Sequence, residues 1–225
     1  MARLVIPALK STVGGFVVLG LLLFLPAGTF NYWQAWVVIA IFVLGSIAIG
    51  LYLSIYDPEL LERRKQAGPR AEPRAVQKII ILFLIAALVG MMVVCALDRR
   101  FGWSEIAAPV SLMAQLLAAI GLGITFLVLR ENSFSASTIR VFKDQKVIST
   151  GPYAQVRHPM YSGMLLLVLA TPVALGSWWG LLPALLAVPA LVWRIVDEEK
   201  LLNAELPGYA DYAGRVRSRL VPQIW

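Results

Sequence analysis

Six long apolar runs, almost free of charged residues, constrain the fold of this 225-residue chain more than any other feature of its sequence. Hydrophobic residues make up 59% of the chain, whereas charged residues make up only 15%. A soluble domain of this composition would expose large apolar patches, which soluble proteins rarely do. The sequence therefore predicts an all-α, polytopic integral membrane protein, because helices satisfy their own backbone groups inside a bilayer.

We expect about six transmembrane helices, the last two of which form a tight helical hairpin. The predicted spans are residues 13–27, 36–56, 79–97, 106–129, 161–175 and 181–192. Residues 176–180 form the turn of the hairpin, and Trp178 and Trp179 in this turn suit a membrane interface.

Basic residues lie almost entirely on one side of the predicted bundle. Of the 20 lysines and arginines, only Arg99 and Arg100 fall in loops assigned to the other side. By the positive-inside rule, this alternation predicts an even number of spans with both termini cytoplasmic. Orientation and anionic lipid then explain the net charge of +7, so membrane lipids are expected partners and nucleic acid is not. The first run, preceded by Arg3 and Lys10, resembles a secretory signal peptide, but a signal anchor fits better, because cleavage would leave five spans and put the charge alternation out of phase.

Residues whose side chains could bind a ligand or take part in catalysis concentrate in the second half of the chain. We therefore divide it into a four-helix transmembrane region, residues 1–130, and a C-terminal region with a cytoplasmic pocket and tail, residues 131–225. The charged loop 57–78 is interpreted as a solvated linker. The single cysteine, Cys95, lies in an apolar run and is interpreted as a buried core residue, so no disulfide and no metal site is expected.

The first informative motif begins the fifth span. Pro159 suits the first turn of a helix, which places His158 near the N-cap. The free N–H groups of a helix N-terminus, beside Arg157 and His158, could bind a carboxylate or a phosphate. The alternative is a basic cap that binds lipid headgroups.

Residues around this motif could complete a pocket. Gly163 allows close approach of a backbone or a flat ligand, and the rings of Tyr153 and Tyr161 could stack on a base or pack around a cation. The alternation of residues 138–149 predicts a short hairpin-like excursion that leads into the fifth span.

The second informative motif follows the sixth span. If the helix continues, Arg194, Asp197 and Glu198 share one face while Glu199 points elsewhere. One interpretation is a structural salt bridge between Arg194 and Glu198. The functional alternative is that a carboxylate here binds an ammonium or paired hydroxyls of a ligand, whereas the Arg157 side binds the acid of that ligand.

The C-terminal tail carries aromatic and basic residues. Tyr209 and Tyr212 share a helix face, and Arg215, Arg217 and Arg219 alternate along an extended stretch that ends at residue 225. Such a tail is typical of a membrane-surface clamp, and here it could also close over a site.

These motifs together resemble the isoprenylcysteine carboxyl methyltransferase family and, more loosely, the phospholipid N-methyltransferases. The resemblance rests on residues 151–153 and 157–163, on Arg194 with the following glutamates, and on the tail tyrosines. It implies an S-adenosylmethionine-dependent methyltransferase whose cofactor enters from the cytosol and whose lipophilic acceptor enters from the bilayer.

The resemblance also implies roles for individual residues. It assigns to the cofactor pocket Tyr153, Val156, Arg157, His158, Pro159, Tyr161, Gly163, Glu198, Glu199, Tyr209 and Tyr212. The candidate catalytic residues are Arg157, Arg194 and Glu198. Arg194 would hold an acceptor carboxylate against the cofactor, whereas an acceptor amine would favour Glu198 or Glu199 as its anchor.

The hairpin lacks the aromatic-rich first helix of the eukaryotic members. The chain therefore resembles a prokaryotic member of the family, in the inner membrane, and we expect its acceptor to be a different lipid or isoprenoid. Three alternatives stay open: a phospholipid amine N-methyltransferase, a sterol-reductase-like enzyme that uses NADPH, and a transporter or scaffold. The spans contain almost no ionisable residue that would mark a translocation path, which disfavours the transporter.

Overall fold

The described part of the chain is all-helical. The computed structural model describes the backbone of residues 2–225 and the side chains of residues 13–225, and no strand occurs among them. The α-helices are α1 (Ala2–Ala27), α2 (Trp33–Tyr56), α3 (Pro58–Lys65), α4 (Ala75–Phe101), α5 (Ala108–Glu131), α6 (Pro159–Ala174), α7 (Leu181–Glu205) and α8 (Tyr209–Arg215). A short 3-10 helix, Gly151–Ala154, lies between α5 and α6.

Three of the described helices, α2, α4 and α5, are long and apolar enough to cross a membrane. Residues 13–27 of α1 and the whole of α6 are shorter apolar helices. Large apolar side chains such as Leu25, Leu44 and Leu186 are 74%, 65% and 61% exposed, as lipid-facing side chains should be. The all-helical membrane class is thus confirmed, whereas the count of six spans stays a prediction.

Most helix boundaries lie within a few residues of the predicted ones, but α7 continues well past residue 192 to Glu205. The side chains of Arg3 and Lys10, which precede the expected signal anchor, lie outside the described residues. Cys95 is buried and free, in accordance with its interpretation as a core residue.

The loop 57–78 is not a solvated linker, so that interpretation is wrong. Asp57 caps α3 by accepting a hydrogen bond from the Leu60 amide at 3.0 Å, and Pro58 supplies a favourable first helical residue. Leu60 and Glu72 are buried, with at most 1% of either residue exposed. This segment therefore packs against the end of the bundle instead of extending into water.

The closest helix packing joins α5 to α6 through two glycines. A Cβ atom on Gly121 would lie 2.7 Å from the carbonyl oxygen of Gly163, and one on Gly163 would lie 2.8 Å from that of Gly121. Small residues that let helix backbones touch are a common means of helix association in membranes. Because α6 begins directly after His158, this contact fixes the position of the His158-Pro159 motif along the axis of α5.

Gly121→Ala should therefore separate α5 from α6 and lower stability by about 1–3 kcal/mol, as overpacking does elsewhere. Gly123→Ala, on the same helix, is the matched control, because a Cβ atom there meets no atom within 4 Å. Thermal unfolding in detergent measures both. Equal melting temperatures for the two variants would contradict this account of the interface.

Candidate functional site

A polar cleft of about 840 Å³, including the part open to solvent, lies at the end of the bundle where α5 and α7 end and α6 begins. We call this the basic end, because α3, the segment 132–158 and the tail bring half of the lysines and arginines to it. Eight of the predicted cofactor-binding residues line the cleft: Tyr153, Arg157, His158, Pro159, Tyr161, Glu198, Tyr209 and Tyr212.

Four other predicted residues do not line the cleft. Val156 is buried, and Gly163 serves the packing of α6 on α5. Glu199 and Arg194 bind other protein groups. The sequence grouped these four with the lining residues because they belong to the same motifs.

Glu199 joins the His158-Pro159 motif to the C-terminal tail. Its carboxylate lies 2.8 Å from Arg157 Nε, 3.2 Å from His158 Nε2 and 2.8 Å from Arg219 Nε. Burial by itself would raise the pKa of Glu199, but hydrogen bonds with His158 and Arg219 and the charge of Arg157 outweigh it and hold the pKa at about 2. Both carboxylate oxygens are thus occupied by this chain.

The tail also binds the backbone at the start of α6. The amides of Arg157 and His158 donate to the carbonyls of Ser218 and Arg219, each at 2.9 Å, and the Ser162 hydroxyl donates to the Leu220 carbonyl at 2.6 Å. His158 is the N-cap and Pro159 the first helical residue, as predicted. The expectation that the N–H groups here are free for an anion is wrong for these two amides, because the tail occupies them.

Tyr161 bridges the acidic and basic groups of α7. Its hydroxyl donates to Glu198 Oε2 at 2.6 Å and accepts from Arg194 Nε at 3.0 Å. The salt bridge considered between Arg194 and Glu198 is not among the ion pairs of the described residues. Glu198 therefore faces the cleft as a carboxylate oriented by a phenol.

Arg194 is held by a buried network that sequence reasoning missed. Its guanidinium donates to Gln77 at 2.7 Å, to Glu72 at 3.1 Å and to the Ser137 carbonyl at 3.2 Å. One helical turn on, Asp197 accepts from Gln77 and from Arg74. Gln77, just before the long apolar run of α4, is the sequence signal that could have revealed this network.

The tail tyrosines close one side of the cleft. Tyr209 and Tyr212 are buried on one face of α8, as their spacing predicted, and the Tyr212 hydroxyl donates to the Tyr153 carbonyl at 2.8 Å. Burial raises the pKa of Tyr209, so its hydroxyl is protonated and able to donate at neutral pH.

The segment between α5 and α6 forms no hairpin of paired strands, which corrects that expectation. Its backbone instead forms hydrogen bonds with side chains from other parts of the chain. The Ile139 amide donates to Glu72 at 3.2 Å, and Arg64 donates to the Ser135 carbonyl at 2.9 Å. A turn, in which the Gln145 amide donates to the Phe142 carbonyl, reverses the chain. Side chains of other elements thus determine the conformation of this segment, which forms one wall of the cleft.

Among the described residues, four buried polar atoms of lining residues have no hydrogen-bond partner: Thr138 Oγ1, Arg140 Nε, Arg157 Nε and the Tyr209 hydroxyl oxygen, of which Arg157 Nε lies in the ion pair with Glu199. Native proteins satisfy nearly all buried polar groups, so unpartnered ones that gather in a cleft indicate a polar ligand. The cleft also combines the Glu198 carboxylate with the cations Arg140 and Lys146. A ligand with both acidic and basic groups, and with further polar atoms between them, would match this lining.

Residues 110–206 match the phospholipid methyltransferase family. The matched region contains most of α5 and all of α6 and α7, and with them Arg157, His158, Arg194 and both glutamates of the site. The resemblance of these motifs to membrane methyltransferases is thereby confirmed for this part of the chain. A comparison with curated proteins found no match.

Glu199→Gln should loosen the tail, because the neutral amide cannot replace the charge-assisted hydrogen bond to Arg219 or the ion pair with Arg157. Charge-assisted bonds of this kind contribute about 1.5–3 kcal/mol each. Limited trypsin digestion should then cleave at Arg217 or Arg219 several times faster than in the unaltered protein. The matched control is Glu205→Gln, at the exposed end of the same helix.

The same contact predicts a pH dependence. Because folding lowers the pKa of Glu199 from 4.5 to about 2, its contribution to tail docking is complete above pH 4.5 and is lost as the pH falls towards 2. Tail cleavage that is as slow in Glu199→Gln as in the control, at neutral pH, would contradict the role of this carboxylate.

Proposed function

We propose that this protein is an S-adenosylmethionine-dependent methyltransferase that acts on a lipophilic acceptor at the membrane surface. The observation that carries the proposal is the cleft at the basic end, in which Glu198, two cations and unpartnered hydroxyls converge inside a region that matches a methyltransferase family. Methyltransferase chemistry follows from the family match, and the donor and the acceptor are inferred from the lining.

The residues of the cleft fit the chemical groups of this donor. S-adenosylmethionine carries an ammonium, a carboxylate, an adenine and ribose hydroxyls, and when bound it supplies an electrophilic methyl group on a sulfonium. Glu198 could bind the ammonium, since one of its oxygens accepts no hydrogen bond from the described residues. Arg140 could bind the carboxylate, and Tyr153, Tyr209 and Tyr212 offer aromatic faces and hydroxyls for the nucleoside.

The protein would act mainly by orientation and by exclusion of water, because methyl transfer from a sulfonium disperses charge and creates none. The tail, held by Glu199, screens one side of the cleft from water. Arg194 has its donors committed to Gln77, Glu72, Ser137 and Tyr161, so we assign it a positioning role in place of the expected contact with an acceptor carboxylate.

A lipophilic carboxylate is the acceptor that the cleft favours. Arg140 and Lys146 line the cleft without an ion-pair partner among the described residues, so one cation is left over after the carboxylate of the donor is bound. A carboxylate is ionised at neutral pH and needs no general base. A phospholipid amine is the second candidate, because the matched family is named for phospholipid methylation and Glu198 could anchor an amine.

The membrane arrangement proposed with this function has six spans, formed by α1, α2, α4, α5, α6 and the first half of α7. Both termini and the cleft would be cytoplasmic, in a prokaryotic inner membrane, with residues 131–225 as the methyltransferase region. The positive-inside bias supports this orientation. Donor would then reach the cleft from the cytosol and acceptor from the bilayer.

Detergent-purified protein should bind S-adenosylmethionine and S-adenosylhomocysteine with micromolar affinity in calorimetry. Glu198→Gln should weaken both by about 10- to 100-fold, since it removes a charge-assisted contact to the ammonium. Glu205→Gln should leave both unchanged. Binding of NADPH in place of the two nucleosides would contradict the proposal and favour a reductase.

The chemistry of the methylated product distinguishes the two acceptors. Membranes from expressing cells, incubated with methyl-labelled S-adenosylmethionine, should yield labelled lipid that releases its label as methanol in mild alkali, because a carboxyl methyl ester hydrolyses there. An N-methyl group would survive the same treatment. Alkali-stable labelling, absent from membranes of cells that express Glu198→Gln, would replace the carboxylate with the amine as acceptor.

A further inference from the structure

We propose that Thr138 binds the methyl donor through its side-chain hydroxyl, and that the buried ion pair of Arg194 and Glu72 holds it in place to do so. This inference rests on the proposed function and adds to it a binding residue and two positioning residues. It begins from a hydroxyl with no partner in the described structure.

Thr138 lines the cleft, yet only 5% of the residue is exposed and its Oγ1 atom makes no hydrogen bond with any described residue. A buried hydroxyl without a partner costs free energy, so its retention at the wall of a polar cleft points to a ligand that supplies the missing bond. Threonine also suits such a task, because its branched side chain has few rotamers and loses little freedom when it binds.

The backbone on both sides of Thr138 is bound to one buried ion pair. The carbonyl of Ser137 accepts from Arg194 at 3.2 Å, and the amide of Ile139 donates to Glu72 at 3.2 Å. Arg194 and Glu72 themselves lie 3.1 Å apart. The residue between these two anchors is therefore fixed at its preceding carbonyl and at its following amide.

This arrangement gives the ion pair a purpose other than stability. A buried ion pair contributes little net stability, because the desolvation of both charges offsets their attraction. Here each partner also forms a hydrogen bond with the backbone of the segment 137–139. These bonds hold the segment next to α7 before any ligand binds. A wall that is already ordered spares the ligand the entropic cost of ordering it.

The test is the affinity of detergent-purified protein for S-adenosylhomocysteine, measured by calorimetry. Thr138→Val keeps the shape and removes the hydroxyl, and we expect it to weaken binding by about three- to tenfold. Thr138→Ser restores the hydroxyl and should recover most of the affinity. Thr150→Val is the matched control, because Thr150 is exposed, lies in the same loop and does not line the cleft.

The outcomes separate this inference from the function on which it rests. If the unaltered protein does not bind S-adenosylhomocysteine, the proposed function fails. If it binds, and Thr138→Val binds equally well, the inference about Thr138 fails while the function stands.

A double-mutant cycle tests the positioning role. Glu72→Ala should weaken binding, and Thr138→Val should add nothing further in that background, since the hydroxyl is then no longer held in the cleft. Melting temperatures identify variants that fail to fold. Glu72→Gln keeps an acceptor for the Ile139 amide, so in that background Thr138→Val should still weaken binding by about three- to tenfold. Full additivity of the two losses would overturn the claim that Glu72 positions Thr138.

Discussion

The buried ion pair between Arg194 and Glu72 is the interaction on which the architecture of the basic end depends. It joins α7 to the segment before α4, which are separated in sequence by more than half of the chain. The same two side chains bind the backbone of residues 137 and 139. If either charge is removed, the other remains buried without its counterion, and three elements of the cleft lose their common anchor.

Consecutive residues of α7 serve different parts of the site because each residue turns the helix by about 100°. Asp197 faces the start of α4, Glu198 faces the cleft through Tyr161, and Glu199 faces the tail through Arg219. Three adjacent carboxylates would repel one another if they shared a face. Their separation lets one helical turn bind an early segment, a ligand cavity and the C-terminal tail together.

The sequence predicted the features that depend on local pattern. The apolar runs located the long helices, and Pro159 placed the start of α6 correctly, because hydropathy and proline geometry act over a few residues. Glu72 was missed because its partner Arg194 is distant in sequence, and a glutamate in a basic loop looks solvated until the fold buries it. The segment 138–149 was misassigned for the related reason that its alternation suits paired strands, whereas its hydrogen bonds go to side chains of other elements.

The same distinction between local and distant information applies to the tail. The family match ends at residue 206, yet Tyr209 and Tyr212 line the cleft and Arg219 binds Glu199. Most of the contacts between the tail and α6 use the tail's backbone carbonyls, which any residue can supply. Among the described residues of the tail, only Arg219 forms an ion pair, and its partner is Glu199 on α7, a carboxylate that the matched region provides. The groups that fix the tail are thus its backbone, the pair of Arg219 with Glu199, and the buried Tyr212 hydroxyl that donates to the Tyr153 carbonyl, so the geometry of the pocket depends on few tail side chains.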